Sequence, residues 1–63
     1  MKVKFIEVGR RKNSWEAECE GELNYEWLYS QVKPNLFSSN IDFVEGRIFA
    51  GAHGVGKFEV VKN

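Results

Sequence analysis

Ser14-Trp15-Glu16-Ala17-Glu18-Cys19-Glu20 alternates strictly, with Trp15, Ala17 and Cys19 in one phase and three glutamates in the other. A period of two is the pattern of a strand with one face buried and one face in water. The stretch before it, Lys2 to Val8, is β-branched and aromatic with alternating lysines, and reads as a second strand. Polar residues Gly9 to Asn13 join the two, so the chain is expected to open with a β-hairpin.

A register follows from the alternation. Phe5 opposite Ala17 aligns Val3 with Cys19 inside, and Lys4 with Glu18 and Lys2 with Glu20 outside. Each exposed pair of opposite charges contributes roughly 0.2–1 kcal/mol. The apolar phase of the first strand slips after Phe5, and a bulge at Phe5-Ile6 would bring Val8 opposite Trp15. Lys2, Lys4, Arg10, Arg11 and Lys12 crowd the first twelve positions, whereas Glu16 to Glu26 holds five acids and no base. The hairpin therefore absorbs much of this asymmetry and leaves Arg10, Arg11 and Lys12 unpaired at its tip.

Downstream, Gly21 breaks the strand. Asn24 is a good N-cap, and Glu26 suits the positive end of a helix dipole. Tyr25, Leu28, Tyr29, Val32 and Leu36 form one apolar stripe, predicting a helix of about three turns that ends near Lys33, before Pro34. Leu36 and Phe37 are expected to cover an edge of the core, and Trp27 to lie on the flank of the stripe, as the aromatic most open to solvent. Ser38 to Asn40 is a short polar linker. Ile41 and Phe43 share a face, as do Ile48 and Ala50, with the phase changing at Glu45-Gly46. A tight hairpin turn there pairs Phe43 with Ile48 and Ile41 with Ala50; a single strand with a glycine bulge accounts for the same slip. Gly51 to Gly56 reads as a glycine-rich loop and Lys57 to Lys62 as the last strand, with Phe58 and Val60 inward.

Residues 1–63 are thus expected to form one α+β domain of two layers, ββαββ or ββαβββ. Its helix packs on one face of an antiparallel sheet whose strand order stays open. A chain of 63 residues and 7.3 kDa is near the lower limit of independent stability. Apolar burial yields about 95 kcal/mol and ordering the residues costs about the same, so the aromatic side chains are needed for the core.

Function is less legible. Gly51 to Lys57 has the G-x-x-x-x-G-K spacing of a phosphate-binding loop. Such a loop also needs a hydroxyl residue for magnesium and a following helix. Phe58 occupies the hydroxyl position, and Phe58-Glu59-Val60-Val61 reads as strand. The glycine backbone with Lys57 keeps a weaker reading as an anion contact through Gly54 and Gly56. His53 is the single histidine and Cys19 the single cysteine, too few for a zinc site without distant carboxylates. No metal, cofactor or catalytic residue is expected. A lone cysteine flanked by Glu18 and Glu20 reads as a buried structural thiol and favours a reducing, cytoplasmic location. Neither a leader peptide nor a membrane-spanning run is evident.

Nine basic and nine acidic residues give zero formal charge, which argues against a dedicated nucleic-acid binder. The expected function is a non-enzymatic protein-interaction or accessory module, with a partner protein or a second copy as ligand. The contact surface would be the exposed sheet face, an edge strand or the flank around Trp27. The alternative is weak nucleic-acid binding through the hairpin tip Arg10-Arg11-Lys12, aided by Gly54, Gly56 and Lys57.

Overall fold

The computed structural model describes residues 1–36 and 40–61. The expected roles of Phe37, Ser38, Ser39 and Lys62 lie outside the described residues. The fold is α+β, with one α-helix and a five-stranded antiparallel sheet. Strands β1 (Lys2–Val8) and β2 (Asn13–Glu18) precede helix α1 (Tyr25–Val32) and a 3₁₀ turn (Lys33–Asn35). Strands β3 (Ile41–Val44), β4 (Arg47–Ala50) and β5 (His53–Val61) follow. The order across the sheet is β2-β1-β5-β4-β3, so the last strand lies between two hairpins and joins them.

The first hairpin forms in a register two residues away from the expected one. Lys2 pairs with Glu18, Val3 with Ala17, Lys4 with Glu16 and Phe5 with Trp15. Because the alternation has period two, either register sets lysine opposite glutamate, so charge does not choose between them. Two other features do. Phe5 stacks on Trp15 with ring centroids 4.7 Å apart and planes 18° apart, a contact worth about 0.5–1.5 kcal/mol beyond its buried area. The turn is also shorter than expected: Val8 pairs with Asn13 rather than Trp15, leaving Gly9 to Lys12 as the tip. A bulge between Phe5 and Val8 accommodates this. There Glu7 takes φ 49° and its N–H donates to Ser14 Oγ at 3.0 Å. Cys19 consequently falls just beyond β2, where it is free and buried and its N–H donates to the Met1 carbonyl at 2.7 Å.

Asn24 caps α1, its Oδ1 accepting from Trp27 N–H at 2.8 Å. The helix runs eight residues, two turns rather than three, before Pro34 turns the chain into the 3₁₀ segment. Its Leu28 and Val32 are buried in one cluster with Val3, Phe5, Val8, Ile41 and Ile48. The rings of Trp15, Trp27 and Phe58 each meet that of Phe5, and Phe58 in turn meets Phe43, at centroid spacings of 4.7–6.4 Å.

The second hairpin resolves the ambiguity at Glu45-Gly46 in favour of a turn. Ile41 pairs with Ala50 and Phe43 with Ile48. Glu45 and Gly46 have φ 49° and 79°, the positive values of a type I′ turn. Glycine suits its position, but glutamate in the left-handed region costs about 1 kcal/mol. Glu45→Asn is therefore expected to stabilise the protein by about 1 kcal/mol, read as a higher urea midpoint at unchanged slope.

The glycine-rich loop expected at Gly51 to Gly56 is not present. Ala50 pairs with His53, so only Gly51 and Ala52 turn the chain, and Gly54 and Gly56 lie within β5. A register shift beside Ile48 and Phe49 marks a bulge in this pairing. Two-residue turns suffice because β4 and β5 are adjacent and antiparallel.

Register also assigns faces. Val3, Phe5, Phe58 and Val60 share the side of the core, whereas Lys2, Lys4, Ile6, Lys57, Glu59 and Val61 share the other. On that outer side Arg47 lies directly opposite Lys57, Val44 opposite Arg47, and Asp42 opposite Phe49.

Candidate functional site

The sequence-derived site residues fall into two neighbouring places. Arg10 and Arg11 line a cleft of about 510 Å³ together with Asn13, Pro34 and Asn35. Its two walls are the β1–β2 tip and the 3₁₀ turn, and backbone packing holds them together. Gly9 adopts φ 81°, and a β-carbon there would lie 2.3 Å from the Asn35 carbonyl oxygen. Glycine is thus the residue that lets the tip seat on the turn. The tip is further tied down by Gly9 N–H donating to Val55 O at 2.9 Å, and its own turn is closed by Lys12 N–H donating to Gly9 O at 3.1 Å. At the cleft itself Asn13 Nδ2 donates to Asn35 Oδ1 at 2.7 Å. Lys12 sits on the same tip with φ 51° but does not line the cleft.

Gly54, Gly56 and Lys57 line a shallower groove of about 310 Å³ with Ile6, Glu7 and Arg47. Here the pairing of β4 with β5 brings two exposed cations face to face across the sheet. Like charges directly opposite each other are destabilising. Among the described residues the ion pair present joins the Met1 ammonium to Glu18, and neither Arg47 nor Lys57 takes part in one. The Gly9–Val55 bond makes the two places neighbours, but their linings share no residue.

Trp27 is half-buried, its ring 6.0 Å from that of Phe5. The exposed aromatic of the helix is instead Tyr25, at 51%. Its hydroxyl donates to the Ile41 carbonyl at 2.6 Å and its ring meets Phe43 edge-on at 5.4 Å. Helix phase alone assigned Tyr25 to the core; the chain brings its polar tip to a strand carbonyl at the margin, where a phenol is at ease.

Sequence reasoning missed Arg47, Glu7, Asn13 and Asn35. Arg47 joins the groove through a strand order that is one of several the same apolar pattern would satisfy. Asn13 and Asn35 meet across 22 residues with no local signal. His53 is exposed in β5. Among the described residues no group of three or more histidine, cysteine or acidic side chains gathers to hold a metal, and no helix is long and apolar enough to cross a membrane. No family model, curated protein or solved structure matches the chain.

Proposed function

We propose that this chain is a small, non-catalytic interaction module of the cytoplasm, and that its binding surface is the outer face of the sheet. In this reading the molecule has two layers, with α1 across the face that bears Val3, Phe5 and Ile48 and, among the described residues, nothing of its own across the other. The observation that carries the proposal is the make-up of that second face. Glu16 and Glu18 on β2 and Glu59 on β5 outnumber Lys2 and Lys4 on β1 between them, whereas Arg47 and Lys57 lie toward β4, with Asp42 beyond them on β3. Ile6, Phe49, Val44 and Val61 are interleaved with them, Val44 being 53% exposed.

Such a face is complementary to itself. A two-fold axis would set the basic half of one copy against the acidic half of another, with the apolar residues between. The partner proposed is therefore a second copy of this chain. It would offset the like-charged Arg47–Lys57 pair, which has Glu7 beside it in the groove but no ion-pair partner among the described residues, and add the burial that a domain of this size lacks. Trp27, on the other side, has no part in this contact.

Sedimentation equilibrium tests the reading. The apparent mass is expected to rise with concentration and to fall back as salt screens the charges. A strict monomer up to millimolar concentration at low salt would remove it.

A further inference from the structure

We infer that the cleft between the β1–β2 tip and the 3₁₀ turn is a binding site for a nucleotide unit, either free or within a single strand. The inference is independent of the dimer reading, because it uses a different surface.

Three features of the cleft point to this ligand. Its charge comes from two arginines, Arg10 and Arg11, and among the described residues no carboxylate lines it. Guanidinium groups match phosphate oxygens two at a time, which a lone ammonium cannot do. Asn13 and Asn35 present side-chain amides, and their mutual bond uses one donor hydrogen and one acceptor lone pair. The remaining donors and acceptors can read the edge of a base, as amides commonly do. Pro34 adds an apolar wall, and a volume of about 510 Å³ falls in the usual range for small-ligand sites.

The site is also preformed. The Gly9–Asn35 approach, the Gly9–Val55 bond and the Asn13–Asn35 bond fix both walls before any ligand arrives. Binding then has chiefly the exposed Arg10 and Arg11 side chains left to order. One term acts against it: α1 and the 3₁₀ turn point their negative ends toward this region. Arg10 and Arg11 offset that field, with Lys12 and Lys33 exposed nearby.

The test is titration of isotope-labelled protein with adenosine monophosphate, inorganic phosphate and a short single-stranded homopolymer, followed at the backbone and side-chain amides. The mononucleotide or the strand is expected to perturb residues 10–13 and the Asn13 and Asn35 side-chain amides. Two phosphate contacts predict a salt slope of about −1.4 for a strand, so raising salt fourfold weakens binding about sevenfold. In Arg10→Gln with Arg11→Gln, two exposed changes that leave the core untouched, that slope should fall close to zero.

A response to the strand with none to the free nucleotide supports the site with a polymer as its source. A comparable response to both supports it with a free nucleotide as its source. Equal perturbation by inorganic phosphate would reduce the cleft to a bare anion contact and overturn the assignment. So would the absence of any response, or a salt slope unchanged in the doubly substituted protein.

Discussion

Phe5→Ala is expected to leave the protein largely unfolded at room temperature. Phe5 is fully buried in β1 and its ring meets those of Trp15, Trp27 and Phe58, so it touches β2, α1 and β5 at once. Truncating a buried phenylalanine costs about 3–5 kcal/mol. A domain of this length commands roughly 3–9 kcal/mol in total, at ~0.05–0.15 kcal/mol per residue. Within the lower half of that range, where so short a chain belongs, one substitution removes most or all of the stability. The control is Phe49→Ala on the outer face, where the ring is half-buried over Gly54. That change should cost about 1 kcal/mol and leave a cooperative transition. Urea denaturation followed by far-ultraviolet circular dichroism reads both. Equal losses at the two positions would mean that the sheet buries both faces alike.

The second large effect is expected at Gly9. Gly9→Ala combines two costs: a left-handed φ of 81°, and a β-carbon 2.3 Å from a backbone oxygen of the 3₁₀ turn. Backbone strain alone costs about 1–2 kcal/mol. Relieving the clash requires the tip to lift off, with loss of the Asn13–Asn35 bond. A total of about 3 kcal/mol is expected, by the same urea measurement. Gly21→Ala separates the two contributions, since Gly21 has a nearly identical φ of 79° but meets nothing within 4 Å. It should lose only the strain. If the two alanines cost the same, the tip is not seated on the turn and the cleft is not preformed.

Local pattern carried much of the fold. The period-two run from Trp15, the Asn24 cap and the phase change at Glu45-Gly46 each depend on residues within one turn or one strand, and each corresponds to an element found there. What depended on distant partners was not legible. The first hairpin settled two residues from its expected register because charge alternation fits both alignments, and the Phe5–Trp15 stack and the shorter turn distinguish them. Gly54 and Gly56 suggested a loop by composition, yet neighbours on either side of β5 hold them in a strand. Of the candidate contacts, Arg10 and Arg11 were visible as an unpaired cluster. Their companions Asn13, Pro34 and Asn35 come from two segments that meet only in the folded chain. Arg47 became visible only once β5 was known to lie between the hairpins.

The role assigned to the outer face is tested most directly by exchanging its charges between two proteins. One carries Arg47→Glu with Lys57→Glu, the other Glu16→Lys with Glu59→Lys, and each is checked for native circular dichroism. Sedimentation equilibrium should find each variant monomeric alone and the equimolar mixture associated as a heterodimer. A mixture that stays monomeric, beside a wild-type chain that does associate, would contradict the proposed face.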